Sequence, residues 1–186
     1  MLITDKHIDN GRSFDWGRTS ADYAKFRDIY PPEFYERIAK SDLCVKGQRV
    51  LDLGTGTGVL PRNMLHFGAK WVGTDISENQ IAMARKLSKG TDIEYIVSPS
   101  ESLNLSDGSF DVITACQCFW YFDHETIMPR LRNMLKPDGK IYLHISYKNA
   151  GVGSSFSGID RINYRVDERN MHFKFSVMPF LKKEEV

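Results

Sequence analysis

Residues 50–59 read Val-Leu-Asp-Leu-Gly-Thr-Gly-Thr-Gly-Val, and this stretch decides the fold. The apolar run at residues 50–53 is typical of a buried parallel strand. Three glycines follow at alternate positions, and glycine tolerates positive φ and the close approach of another molecule to the backbone. A helical pattern begins directly afterwards. Strand, glycine turn and helix together predict the opening of a nucleotide-binding βαβ unit.

An acidic residue at the end of the next apolar strand supports this interpretation. The run at residues 71–74 ends in Asp75, which follows Gly54 by about 20 residues, the spacing at which such folds place a carboxylate on ribose hydroxyls. We therefore predict that Asp75 accepts hydrogen bonds from the ribose of a nucleotide-like ligand.

Strand and helix patterns alternate through the middle of the chain. The strand patterns lie at residues 50–53, 70–75, 93–97, 110–115 and 140–146. This alternation predicts an α/β fold, Rossmann-like and doubly wound, with a mostly parallel sheet in three α/β/α layers. The Lys-Pro-Asp-Gly run at residues 136–139 predicts a turn between a helix over residues 124–135 and the last of these strands.

The chain of 186 residues, with 41% hydrophobic and 26% charged residues, is expected to form a single domain. Residues 1–45 would form an N-terminal arm and helices, and residues 46–146 the cofactor-binding core. Residues 147–186 would form a shortened C-terminal part. Within it, two segments of alternating polarity predict an antiparallel hairpin on the edge of the sheet.

Charge and cysteine content argue against several classes of protein. The net charge of +1 gives no general attraction to nucleic acid or to a membrane surface. No apolar run reaches the ~18 residues of a membrane span, and the N-terminus lacks a signal-peptide pattern. Cys44, Cys116 and Cys118 are odd in number and lack the spacing of a zinc or iron–sulfur site. We expect a cytoplasmic protein with no metal site.

Four motifs in order resemble those of the class I S-adenosylmethionine-dependent methyltransferases, most closely the small-molecule type. They are residues 50–58, Asp75, the Ser-Phe-Asp-Val-Ile run at residues 109–113 and the Leu-Lys-Pro-Asp-Gly-Lys run at residues 135–140. Val59 stands where a dinucleotide fingerprint has a small residue, which favours a cofactor without a pyrophosphate. The resemblance implies S-adenosylmethionine as cofactor, in-line methyl transfer to a small-molecule acceptor, and S-adenosylhomocysteine as product.

The resemblance also implies a set of cofactor-binding residues, which are Tyr23, Arg27, Asp52, Gly54, Thr55, Gly56, Asp75, Ile76, Gln80, Ser100, Glu101, Cys116 and Gln117. Ile76 is expected on the adenine face and Gln80 near the ribose. Relatives often carry an Asp after the third strand that binds the adenine amino group, but Pro99 stands there. Ser100 or Glu101 would then serve, unless Glu101 is an ordinary solvated acid.

An aromatic block follows the fourth strand, where open α/β sheets bind ligands. It reads Phe-Trp-Tyr-Phe at residues 119–122 and is followed by Asp123 and His124. Tyr121 and His124 are the candidate catalytic residues, as a base or as orienting groups, and a base is needed only where the acceptor is protonated. The alternative is that the rings are core and that His124 lies in the first turn of a helix.

Two other functions stay open at this point. A nicotinamide-dependent oxidoreductase would use the same glycine turn and Asp75. A non-catalytic S-adenosylmethionine-binding module is the second alternative. It is supported by the Gly- and Ser-rich segment 149–158, which stands where relatives usually carry a helix. Either this is a minimal version or residues are absent, and a second subunit of a homodimer would be one way to complete the pocket.

Overall fold

A computed structural model of the chain describes residues 30–144, 159–166, 171–172 and 175–178. Five parallel strands form the centre of this structure, and they are β1 (Arg49–Leu53), β2 (Lys70–Asp75), β3 (Glu94–Val97), β4 (Phe110–Cys116) and β5 (Leu135–His144). Their order in the sheet is β3-β2-β1-β4-β5. The predicted Rossmann-like α/β fold with a parallel sheet is confirmed.

Three further strands extend the sheet beyond β5, and they are β6 (Ile159–Val166), β7 (Met171–His172) and β8 (Phe175–Met178). The first pairs antiparallel with β5, and the other two pair antiparallel with β6.

In the described residues, four α-helices connect or precede the parallel strands, and they are α1 (Pro32–Lys40), α2 (Val59–Met64), α3 (Glu78–Leu87) and α4 (His124–Met134). Proline at the first position of α1 removes an N–H that would have no partner in the helix. The Ser77 hydroxyl caps α3 by accepting from the Gln80 N–H at 3.4 Å, as the capping-box pattern predicts. The same part of the chain also forms short 3-10 helices at Leu65–Phe67, Ser100–Ser102 and Phe119–Tyr121.

Alternate strand residues build a separate core on each face of the sheet, because successive side chains of a strand point to opposite faces. One core joins β1, β4 and β5 to α4 and includes Leu51, Leu53, Ile113, Ile127 and Leu131. The other joins the same strands to α1 and α2 and includes Val50, Val112, Tyr142, Phe34, Ile38 and Met64. The carboxyl ends of the strands lie between these two packed layers.

The predicted turn at residues 136–139 is instead a bulge inside β5, so the prediction that this strand begins at residue 140 is wrong. Phe110 pairs with Leu135, but Val112 pairs with Lys140. A Cβ on Gly139 would lie 2.9 Å from the Lys136 carbonyl oxygen, so the fold-back of the chain needs glycine. The Lys136 ammonium also donates to both carboxylate oxygens of Asp111 at 2.8 Å, which fixes the bulge against β4.

In the part of the chain that the structure describes, every helix is too short or too polar to cross a membrane.

Candidate cofactor-binding site

The site lies where the direction of strand order reverses. From β1 the chain builds outward through β2 and β3, and then returns to add β4 and β5 on the other side of β1. Open α/β sheets bind ligands outside the carboxyl ends of the strands at such a point. The glycine turn leaves β1 there, and Cys116 and Gln117 leave β4 beside it. The two segments predicted to bind the cofactor therefore border one crevice.

The three glycines of the turn have different reasons for being glycine. All three adopt positive φ, with values of 59° at Gly54, 57° at Gly56 and 75° at Gly58. A Cβ on Gly54 would lie 2.7 Å from the Cys118 sulfur, and one on Gly58 would overlap the Tyr95 hydroxyl. Packing within the protein therefore accounts for these two.

Gly56 is the position of the turn where a missing side chain leaves room for another molecule. The nearest atom to a Cβ placed there is Gln80 Oε1, at 4.0 Å. This open approach to the backbone is what a cofactor needs, and it lies directly beside the acid that the spacing singled out. The turn thus fits the methionine-to-ribose part of an S-adenosylmethionine molecule.

Asp75 is held rigidly at the end of β2. The Gly56 N–H donates to Oδ2 at 2.9 Å, and the Ser77 N–H donates to Oδ1 at 2.9 Å. Each carboxylate oxygen keeps a further lone pair for another donor. Partial burial raises the pKa of Asp75, and the two backbone hydrogen bonds offset part of that rise. The carboxylate is therefore fixed in place and able to accept from a pair of hydroxyl groups.

Two exposed apolar side chains stand at the ends of neighbouring strands beside Asp75. Ile76 is 72% exposed, and Val97, which pairs with Asp75 in the sheet, is 42% exposed. An apolar residue left in solvent at a crevice is suited to cover a flat ring. Ile76 was expected on the adenine face. Val97 was not, although its place at the end of a strand pattern next to β2 would have indicated it.

The loop after β3 carries the residues expected to replace the acid missing at Pro99. Ser100 is buried, at 6% exposure, and opens a short 3-10 helix. Glu101 Oε1 accepts from the Asp123 N–H at 3.0 Å, which joins this loop to the start of α4. This bond occupies one of the two carboxylate oxygens of Glu101, and a role of Glu101 toward the adenine stays a prediction.

Asp52 lies under the glycine turn, inside the sheet. It is 2% exposed, and its Oδ1 accepts from the Thr114 hydroxyl at 2.6 Å. Burial raises the pKa of Asp52 to about 6, even though the Thr114 hydrogen bond lowers it. The contact that the structure shows for this carboxylate is with a neighbouring strand, so its contact with the cofactor stays a prediction.

The chain leaving β4 is tied to both neighbouring strands. Gln117 has a φ of 62°, and its N–H donates to the His144 carbonyl at 2.8 Å. The Cys118 thiol donates to the Leu53 carbonyl at 3.1 Å. Burial raises the pKa of the Cys116 and Cys118 thiols well above the ordinary value, so both are neutral and poor nucleophiles. That this segment offers backbone groups to the methionine end of the cofactor stays a prediction.

His124 is the first residue of α4 and is exposed. Its ring stacks on Phe119 with centroids 4.7 Å apart, and its Nε2 lies 3.0 Å from the Phe119 carbonyl. Because a carbonyl only accepts, Nε2 must carry the proton, and in the neutral ring Nδ1 keeps a lone pair. Phe119 itself is buried, which agrees with its interpretation as core, and Tyr121 is half-buried.

The structure brings most of the predicted cofactor residues to one edge of the sheet. Thr55 and Gln80 are buried beside Gly56. Tyr23 and Arg27 lie outside the described residues, so their predicted closure over the cofactor stays a prediction.

The chain is similar to known methyltransferases along most of its described length. Residues 51–143 match the family described as the methyltransferase domain. A ubiquinone biosynthesis O-methyltransferase of Neisseria meningitidis serogroup A is 33% identical over 140 residues, which cover 72% of this chain and 58% of that protein. The chain thus spans less than two thirds of the length of this curated relative.

Solved structures of the same kind share the fold. A SAM dependent methyltransferase from Aquifex aeolicus superposes with a TM-score of 0.63 at 18% identity, over 76% of this chain and 78% of that one. A second, from Mesorhizobium loti, gives a TM-score of 0.57 at 26% identity, over 72% of this chain and 66% of that one. With the family match, the motifs and the fitting crevice, the chain belongs to the methyltransferase domain family, among the class I methyltransferases that use S-adenosylmethionine as cofactor.

Proposed function

We propose that this protein transfers the methyl group of S-adenosylmethionine to a hydroxyl group of a small molecule by in-line displacement. The observation that carries the proposal is the pairing of the Gly56 N–H with Asp75 beside an open approach to the Gly56 backbone. The hydroxyl acceptor is supported by the relative whose name is that of an O-methyltransferase. When bound, the cofactor supplies a methyl group that its sulfonium already activates, so alignment and water exclusion are the main tasks of the protein.

On the cofactor side, we assign binding to residues around the crevice. Asp75 accepts from the two ribose hydroxyls, and because two backbone N–H groups already fix it, little reorganisation is needed. Ile76 and Val97 cover the adenine, and Ser100 or Glu101 accepts from its amino group. The remaining assigned residues hold the ribose and methionine parts, and they are Tyr23, Arg27, Asp52, Gly54, Thr55, Gly56, Gln80, Cys116 and Gln117.

On the acceptor side, we assign Tyr121 and His124 as the catalytic candidates. His124 Nδ1 is the available acceptor on a ring that the Phe119 carbonyl holds in one orientation. It would take the hydroxyl proton, directly or through water, where the acceptor is protonated at neutral pH. Tyr121 would orient the same hydroxyl from the 3-10 helix that precedes α4.

We further propose that the chain acts as a single cytoplasmic domain with the three parts given by its sequence, and that residues 147–186 supply an antiparallel hairpin at the sheet edge. The net charge of +1 supports a small-molecule acceptor over nucleic acid or a membrane surface. A homodimer is proposed as a way to complete the acceptor pocket.

Two measurements test the proposed function. Calorimetric titrations should show binding of S-adenosylhomocysteine and none of NADH, and the opposite result would favour an oxidoreductase. A screen with methyl-labelled S-adenosylmethionine and a panel of aromatic hydroxyl compounds should then yield at least one labelled product. Cofactor binding without transfer to any compound would instead favour a non-catalytic binding module.

A further inference from the structure

His144, the last residue of β5, carries an unpaired polar atom in the interior. The residue is 3% exposed, and its Nδ1 has no hydrogen-bond partner in the described part of the chain. Buried polar side-chain atoms nearly always have a partner, so each exception calls for a reason. An atom of this kind at the ligand-binding edge of a sheet indicates a partner that the described part of the chain does not provide.

The register places His144 on the same sheet face as the glycine turn. Asp52 pairs with Thr114, and Thr114 pairs with Tyr142. Two residues further along these strands come Gly54, Cys116 and His144, which therefore share a face. Two strand spacings separate the ends of β1 and β5, which is roughly 10 Å. The backbone of His144 thus lies at the carboxyl edge of the sheet, on the side of the crevice away from Asp75.

The backbone of His144 is fixed by its neighbour. Its carbonyl accepts from the Gln117 N–H at 2.8 Å, which ties the end of β5 to the exit of β4. A group that binds a reacting molecule has to be held in position in this way.

Among the described residues, two aromatic side chains pack against the imidazole. The ring of Tyr30 meets it edge-on with centroids 5.3 Å apart, and that of Phe34 does so at 4.8 Å. Burial lowers the pKa of His144 to about 4, and no charge on a described residue contributes to this shift. The ring is therefore neutral at pH 7. Such a place disfavours a carboxylate or a phosphate, since no charge on a described residue acts on the imidazole there.

A hydroxyl on a flat ring matches these surroundings. A hydroxyl both donates and accepts, so it pairs with Nδ1 in either tautomer of the neutral imidazole. The flat ring that bears it would pack against the aromatic side chains, as aromatic rings do in proteins.

We propose that His144 binds the hydroxyl group of the methyl acceptor through Nδ1, with Tyr30 and Phe34 forming the wall against which the acceptor ring packs. This inference rests on the proposed function and adds an acceptor-binding residue to it. His144 here positions the acceptor, while removal of the proton is left to the groups beyond β4.

The first test observes the imidazole directly. The full chain, saturated with S-adenosylhomocysteine and labelled with ¹⁵N at histidine, is titrated with catechol as the probe. Loss of one resonance in His144→Gln assigns the signal. The His144 ring nitrogens should shift to saturation, while those of the exposed His66 stay unchanged. Unchanged His144 resonances over the whole titration overturn the inference, whether or not catechol binds elsewhere.

The second test measures affinity in matched variants. His144→Phe keeps an aromatic ring but loses the hydrogen bond, and should weaken catechol binding to the S-adenosylhomocysteine complex about tenfold. His144→Gln keeps a polar partner and should lie nearer the wild type, and His66→Gln is the control. The dissociation constant of S-adenosylhomocysteine should stay the same in all of them.

The two proposals fail in different ways. Wild-type protein that does not bind S-adenosylhomocysteine would refute the proposed function itself. Normal S-adenosylhomocysteine binding, with equal catechol affinity in His144→Phe and the wild type, would refute the role of His144 alone. If His144→Phe does not fold, the titration of the labelled histidines in the wild-type protein still tests whether His144 binds the hydroxyl group.

Discussion

The backbone N–H of Gly56 donates to the Asp75 carboxylate at 2.9 Å, and this bond joins the two motifs that first indicated a nucleotide-like ligand. Since the Ser77 N–H holds the other oxygen at 2.9 Å, the carboxylate is anchored at both ends. The glycine turn and the acid thus form one preorganised unit, and the account of cofactor binding depends on it.

The glycines of the turn should respond differently to alanine. The added methyl group would clash with Cys118 in Gly54→Ala and with Tyr95 in Gly58→Ala. Because this clash adds to the strain of positive φ, we expect these two variants to lower the melting temperature most. Gly56→Ala should lose only about 1–2 kcal/mol from the strain, yet bind S-adenosylhomocysteine markedly less well. Thermal unfolding and calorimetry measure the two effects. Equal destabilisation by all three variants, with cofactor binding by Gly56→Ala intact, would speak against this division of roles.

Asp111 should matter for stability through its acceptor role more than through its charge. It accepts from the Arg49 N–H at 2.8 Å and pairs with the partly exposed Lys136. We expect Asp111→Ala to cost roughly 1–3 kcal/mol, and Lys136→Ala less than about 1 kcal/mol. Urea unfolding at neutral pH tests this order, and a larger loss in Lys136→Ala would reverse the interpretation.

The same contacts predict a pH dependence for Asp111. Partial burial raises its pKa, but the Arg49 N–H and Lys136 outweigh this, and the pKa of the folded state is lowered. The unfolded chain then binds more protons, so this contribution is present above the ordinary Asp pKa of about 3.9 and is lost as the pH falls through the folded value. Asp111→Asn should therefore lose less stability than the wild type between about pH 5 and pH 2. Thermal unfolding measured across this pH range tests the prediction.

The contribution of Asp52 to stability should change with pH in the opposite direction. Burial raises the pKa of Asp52 in the folded protein to about 6, whereas the ordinary value is about 3.9. Between these two values the folded state binds more protons than the unfolded chain. Stability therefore falls as the pH rises through this range. Relative to the wild type, Asp52→Asn should gain on the order of 2–3 kcal/mol between pH 4 and pH 7. Asparagine keeps an acceptor for the Thr114 hydroxyl. A stability difference that does not change with pH would show that Asp52 is not buried as described.

Local patterns were enough to predict the elements that position the site. The spacing from Gly54 to Asp75 and the Ser77 cap are both contained in short stretches of sequence. They were therefore enough to predict β2 and the helix α3 that follows it. The bulge in β5 did not, because it depends on the bond from Lys136 to Asp111, which lies in another strand. Lys-Pro-Asp-Gly alone is typical of a turn.

Contacts between distant segments account for what the sequence did not indicate at the site. The bond from Glu101 to the Asp123 N–H joins two loops whose proximity only the folded sheet establishes. His144 ends an apolar run, and a polar residue there is a weak signal on its own. Its aromatic neighbours, and the lack of a partner for Nδ1 among the described residues, become visible only once α1 is packed against β5.

The most direct measurement is calorimetric titration of S-adenosylhomocysteine into the wild type, Asp75→Ala and Asp107→Ala. Asp107 is an exposed acid in the turn before β4 and serves as the matched control. Loss of the anchored carboxylate should weaken binding by roughly 1.5–3 kcal/mol, while Asp107→Ala should bind like the wild type. Equal dissociation constants for Asp75→Ala and the wild type, in protein that is folded, would contradict the assignment of the cofactor to this crevice.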